Sequence, residues 1–203
     1  MVLEYLGIGL SLGVTAGLSP GPLIALMISE TVKGGRIRGI KVSLAPLFTD
    51  IPLILAIIFL LKHIKNIHPL LGVISIVGSL ILFYFGYKDL KTDKINLQTG
   101  NIQSDSSFKK GLVTNFLNPH PYVFWLFIGV PFMLRGNSIE MTTFVLSFLS
   151  GIVGSKICLT FIIEKGKKFI ETKYYLRIIK SLGLILMFFG FILLKDGIGN
   201  LLR

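Results

Sequence analysis

Ser19-Pro20-Gly21-Pro22 lies inside Tyr5 to Ile28, a run of 24 residues without a charge. A run of that length crosses a hydrocarbon core of about 30 Å. Pro20 and Pro22 lack an amide hydrogen, clash with the carbonyl four residues back, and push the preceding residue out of the helical region. The helix therefore breaks within the membrane. Freed backbone groups survive in lipid only where protein or a water-filled cavity satisfies them. Transporters hold substrate at such breaks, so Ser19, Pro20, Gly21 and Pro22 are candidate substrate-binding residues.

Five further apolar blocks follow: Val42 to Leu61, Pro69 to Tyr87, Gly111 to Leu134, Met141 to Ile163 and Leu176 to Leu194. In a chain of 203 residues, 52% of them hydrophobic, these blocks are too long for a soluble core, and the mean hydropathy is +0.77. The expected fold is an all-α membrane protein of six transmembrane helices. The sixth is the least regular, because Lys180 would have to snorkel from its edge. The residues before the first block, Met-Val-Leu-Glu, lack a basic region, so no cleavable signal peptide is expected.

The net charge of +11 would suggest nucleic acid in a soluble protein. Here its placement explains it. The segments after the first, third and fifth blocks carry 15 Lys and Arg against 5 on the opposite side, with Lys156 alone inside a block. The positive-inside rule then puts both termini outside a cell membrane, with no nucleic-acid partner. Cys158 is the single cysteine, excludes an internal disulfide, and is expected as a small buried residue.

Residues 88–110 change to Asp, Lys, Asn, Gln, Ser and Thr and read as a cytoplasmic linker between two three-helix halves, 1–87 and 111–203. The second half opens with a span broken in its turn, at Asn118-Pro119-His120-Pro121. The Pro-x-Pro spacing recurs in the first span of each half. Three spans per half make the second an inverted copy of the first, with helices 1 and 4 broken at the proline motifs. Both breaks come out nearer the cytoplasm than a strict mirror would place them.

Small residues recur at helical spacing in Gly9, Gly13, Gly17 and Gly21, in Ser147, Gly151 and Ser155, and in Gly183, Gly190 and Gly197. Such rows let helices approach closely. Phe83, Tyr84, Phe85 and Tyr87 read as an interface belt, and Glu30 to Arg38 as a short basic turn.

Asp50 reads as the only acid deep in any span, roughly 12 Å from its nearer end at helical rise. An ionised Asp there costs several kcal/mol unless paired, hydrated or protonated. It either forms a salt bridge or cap beside Pro46 and Pro52, or serves substrate and proton binding. Lys156 could snorkel, neutralise Asp50, or bind a substrate carboxylate. One polar pocket holding both breaks, Asp50 and Lys156 would suit a small zwitterion. The half-helix from Pro22 offers unpaired amides to a carboxylate, and Asp50 with freed carbonyls could hold an ammonium. Alternating access, with substrate and proton exchanged across that pocket, is the mechanism expected.

At these residues the chain resembles the LysE/RhtB family of amino-acid exporters. The matching elements, in order, are Pro20-Gly21-Pro22, the turn Gly35-Arg36-Ile37-Arg38-Gly39, Asp50, and Phe108 to Gly111 followed by Asn115 and Asn118-Pro119. The resemblance implies export of an amino acid or related small metabolite driven by the proton gradient. It adds Asn115 to the substrate-binding candidates, beside Asn118, Pro119, His120 and Pro121 of the second break. Three positions depart from the family pattern. Leu23 stands where Asn is common, Thr49 where Gly precedes the Asp, and His120 where Lys follows Asn-Pro. A His in place of a fixed charge can titrate near neutral pH, which makes His120 a proton-coupling candidate beside Asp50, although it could equally cap the broken backbone.

An alternative is a divalent metal-ion exporter of the wider superfamily, with Asp50 and His120 as ligands; most such sites use more ligands than these two. An intramembrane enzyme would need a paired acid, a Ser-His arrangement or a metal motif, and the spans contain none. No cofactor and no resident metal are expected. The partners expected are a small-molecule substrate, protons and the lipid bilayer, and a homodimer is compatible with the pattern.

Overall fold

The computed structural model describes residues 2–61, 68–92, 106–165 and 173–202. Most of the linker, and the greater part of the basic turn between the fifth and sixth blocks, lie outside them. All regular structure among the described residues is helical.

Helix α1 (Val2–Leu18) stops where the sequence predicts. Its last backbone bond runs from the Ser19 amide to the Thr15 carbonyl at 2.9 Å, and Pro20 has no hydrogen to extend the ladder. Extended Gly21 leads into α2 (Pro22–Gly34), with Pro22 in the first turn, where its missing amide costs nothing. The two helices meet at a bend of 62°.

The basic turn expected over Glu30 to Arg38 is instead a junction of one residue. α2 runs to Gly34 and α3 (Arg36–Ser43) starts at once. Gly35 between them has φ +77°, the left-handed region that a side chain disfavours, so glycine permits the corner. Leu44 joins α3 to α4 (Ala45–Leu61), and residues 36–60 form one membrane-length helix that begins well before the expected Val42. Pro52 is accommodated inside it.

α5 (His68–Leu90) is followed, after the linker, by α6 (Ser107–Leu117). Asn118 is extended, and its side chain accepts the His120 amide at 3.1 Å to cap α7 (Pro119–Phe124). A π-helical turn over Trp125–Gly129 then passes into α8 (Val130–Arg135). Pro131 cannot bond the Phe127 carbonyl four residues back, and that carbonyl packs against Gly78 of α5. The fourth expected span is thus a series of short helical pieces. α9 (Ser138–Lys165) and α10 (Lys173–Leu201) complete the bundle. Four helices are long and apolar enough to cross a membrane, and α1 with α2 makes a fifth if the bent pair counts as one. The chain is a multi-pass membrane protein. α10 extends past the expected Leu194, and its candidate span is Leu176–Leu201.

The small-residue rows set the packing. Gly9, Gly13 and Gly17 of α1 lie on Ser147, Phe148, Ile152 and Ser155 of α9, and numbers rise together, so the two helices run parallel. A Cβ at Gly13 would overlap the Phe148 carbonyl. Gly21 leaves this row: nothing lies within 4 Å of the position a Cβ would take. Gly72 and Gly86 of α5 face Gly197 and Gly183 of α10 in antiparallel order. Gly111 of α6 rests on Val42 and Ala45, and Asn115 one turn on reaches Thr49 and Asp50, so α6 runs parallel to the helix from Arg36. Phe124, Trp125, Phe132, Phe144 and Phe148 fill the core between them. Phe124 and Phe148 stack at 4.5 Å between ring centroids.

Two further expectations are corrected. Cys158 is exposed on the outside of α9, because the buried face of that helix is the one turned to α1. The aromatic cluster is not uniformly a belt: Tyr84 and Tyr87 are exposed, whereas Phe85 turns inward and stacks on His120.

Candidate functional site

A cavity of about 650 Å³ lies between the two breaks. Ser19, Pro20, Gly21 and Pro22 line it from the first break, and Asn118, Pro119, His120 and Pro121 from the second. Asp50 enters from α4, Asn115 from α6 and Lys156 from α9. Every residue the sequence singled out for binding therefore meets in one space.

The freed backbone groups are satisfied by side chains. The Gly17 carbonyl, whose helical partner would be the amide of Gly21, accepts instead from Lys156 Nζ at 2.8 Å. Lys156 is only 3% exposed, which excludes snorkelling. Among the described residues it forms no ion pair with Asp50, although both line the cavity. At the second break, the His120 amide bonds the Asn118 side chain, and the Phe116 carbonyl left behind accepts from Tyr122 Oη at 2.8 Å.

Asp50 is 2% exposed and holds three donors. Its Oδ1 accepts from Thr49 Oγ1 at 3.0 Å and Asn115 Nδ2 at 3.1 Å, and its Oδ2 from Trp125 Nε1 at 3.1 Å. Asn115 also donates to Thr49 Oγ1 at 2.6 Å. The carboxylate thus ties α4 to α6 and to the π-helical turn. A buried carboxylate needs such donors, since lipid and core offer none.

His120 stacks on Phe85 with centroids 4.5 Å apart and planes 20° from parallel. Its backbone takes part in the cap; its ring makes no hydrogen bond among the described residues. Lys88, Tyr84 and Phe85 close the cavity from α5, and Phe124, Trp125 and Phe148 from the core.

Asp50 is not the only buried acid. Glu30, Asp89 and Glu140 are each less than 9% exposed. Glu30 accepts from Ser107 Oγ at 2.6 Å and Lys110 Nζ at 2.9 Å, joining α2 to α6. Glu140 accepts the Asn137 amide at the start of α9. Asp89 accepts from Ser19 Oγ at 3.0 Å. Sequence reasoning missed Glu30 and Asp89 because each adjoins lysines at the end of an apolar block, where a solvated position is the default. Trp125 was missed as a partner of Asp50, although it is the single tryptophan of the chain. Among the described residues, no three His, Cys, Asp or Glu side chains gather as a group able to hold a metal ion.

Comparison with known proteins gave no match among curated proteins and none among solved structures. A protein-family comparison did match, over residues 14–197, a stretch that includes both breaks, Asp50 and Lys156. The chain belongs to the LysE type translocator family, a family of membrane transporters.

Proposed function

We propose that this protein is a secondary exporter of an amino acid or related small metabolite, working by proton antiport through alternating access at the cavity between the two breaks. The observation that supports this reading most is the convergence of both breaks, a buried acid and a buried base on one space of about 650 Å³. That volume falls in the usual range for small-molecule sites. The α2 N-terminus presents amides freed by Pro20 and Pro22 and suits a carboxylate. Lys156 uses one of its three donors on Gly17 and retains two for the same group. Asp50 and His120 are the proton-coupling candidates, one fixed by three donors and the other with a ring free of hydrogen bonds among the described residues.

The two halves, 1–87 and 111–203, are inferred to be inverted repeats joined by the linker 88–110. Exchanging first, second and third spans for fourth, fifth and sixth turns the parallel α1 and α9 pair into the parallel pair of α6 and the helix from Arg36. It returns the antiparallel α5 and α10 pair to itself. Lys156 at the first break then corresponds to Asp50 at the second. Alternating access follows if the two pairs rock in opposite senses around the shared cavity. Both termini are placed outside the cell membrane by the positive-inside rule; a cytoplasmic signal from a C-terminal reporter would reverse that assignment.

The test is thermal unfolding of purified protein against a panel of amino acids. A ligand that binds only the folded state adds about 2.7 kcal/mol at a hundred times its dissociation constant. Stabilisation by one class of amino acid, followed by its export from proteoliposomes under a pH gradient, is expected. No stabilisation by any amino acid, or flux indifferent to the gradient, refutes the reading.

A further inference from the structure

Beside the main cavity lies a chamber of about 60 Å³, with Asp89 at the end of α5 in its wall. The two spaces share Ser19, Pro20, Phe85, Lys88, His120 and Phe124 as walls. Asp89 is 6% exposed. Its Oδ2 accepts from Ser19 Oγ at 3.0 Å, while its Oδ1 makes no hydrogen bond among the described residues. Asp50 is the contrast, since both its oxygens are engaged by side-chain donors. Of the two carboxylates next to the transport path, Asp89 has the more acceptor capacity left, with one side-chain donor against three.

We propose that this chamber is the ammonium subsite of the transport cavity, with Asp89 receiving the amino group of the substrate and Ser19 positioning the carboxylate. The proposal rests on the amino-compound reading above and deepens it. A water needs about 10–15 Å³ on the same measure, so the chamber has room for a primary ammonium together with a few waters. The body of the substrate then stays in the main cavity, whose wall is largely apolar: Leu80, Ile81, Tyr84, Phe124, Phe148 and Ile152. Lys156 and the rim residue Lys88 remain for the carboxylate that an amino acid carries beside its ammonium. The substrate class that fits is an amino acid with a branched or aromatic side chain, and not one whose side chain ends in a second cation. Ser19 also belongs to the Pro-Gly-Pro break, so an ammonium bound here acts directly on the segment that must move during transport.

The experiment uses the full chain in nanodiscs and the emission of Trp125, which lines the same cavity and is the single tryptophan. The probes are L-leucine, its decarboxylated form 3-methylbutylamine, its deaminated form 4-methylpentanoate, and L-lysine. Leucine and the amine should shift the emission, with 4-methylpentanoate and lysine at least tenfold weaker. Asp89→Asn should weaken leucine and the amine at least tenfold, and Ser19→Ala severalfold. Leucine binding unchanged in Asp89→Asn overturns the subsite while leaving the exporter reading intact, as does 4-methylpentanoate binding as tightly as leucine. Lysine binding more tightly than leucine overturns the substrate class. If Asp89→Asn does not elute as folded protein, Ser19→Ala decides, and unchanged leucine affinity there overturns the proposal. If the native protein binds none of the four and no other amino acid stabilises it, the exporter reading falls and the subsite falls with it.

Discussion

Trp125 donates its indole N–H to Asp50 Oδ2 at 3.1 Å, so the single tryptophan of the chain reports on the acid that lines the same cavity. Asp50→Ala leaves Trp125 Nε1 and one N–H of Asn115 without an acceptor, while Thr49 keeps the Ala45 carbonyl, and should cost about 1–3 kcal/mol per stranded buried group. Asp50→Asn keeps the volume and part of the hydrogen bonding. It should fold, change the Trp125 emission, and lose export driven by a pH gradient. Thermal unfolding, fluorescence and proteoliposome flux read these three effects, and undiminished proton-dependent export by Asp50→Asn would remove Asp50 from the coupling mechanism.

Gly13→Val places a branched side chain against the Phe148 backbone on the α1 and α9 seam. Overpacking of this kind costs typically about 1–3 kcal/mol. Gly21→Ala meets no atom within 4 Å and sits on extended backbone, so its stability should match the native protein. Its methyl group nevertheless enters the cavity wall. The pair therefore separates packing from transport: unfolding temperature should fall for the first, and flux for the second.

Lys156→Met removes the donor that satisfies the Gly17 carbonyl. A buried carbonyl left unpaired costs about 1–3 kcal/mol. Binding of carboxylate-bearing ligands should weaken as well, while binding of the corresponding amines should change less. Calorimetric comparison of an amino acid with its decarboxylated amine checks this split; equal loss for both would confine Lys156 to holding the break.

Glu30→Ala strands Ser107 and Lys110 at the α2 and α6 junction. Because Glu30 is 4% exposed at the side chain and Lys110 21%, this pair is screened less than Arg36 with Glu164, at 55% and 39% and 3.8 Å. The Glu30 variant should lose about 2 kcal/mol or more with little dependence on salt. Glu164→Ala should lose at most about 1 kcal/mol. Unfolding of both at low and high ionic strength measures the difference.

Hydropathy, proline placement and sequence motifs alone set the class of fold, the two breaks and the eleven binding candidates that line the cavity. Uncharged runs of membrane length have no other stable home, and a proline inside a helix removes a donor wherever the helix lies. The glycine rows likewise announced close packing before any partner was known. Tertiary structure decided what depends on the partner. Gly9, Gly13 and Gly17 found α9, while Gly21, one turn further on, faced open space, because the chain had already bent by 62°. Lys156 found the Gly17 carbonyl, and Asp50 found Trp125, across 139 and 75 residues of sequence. Asp89 and Glu30 looked solvated beside their lysines, and only the packing of α5 against α10 and Ser19, and of α2 against α6, buried them. Burial is a property of the assembled bundle: an acid at the end of a helix is exposed or enclosed according to which neighbour arrives, and no local spacing of residues records that.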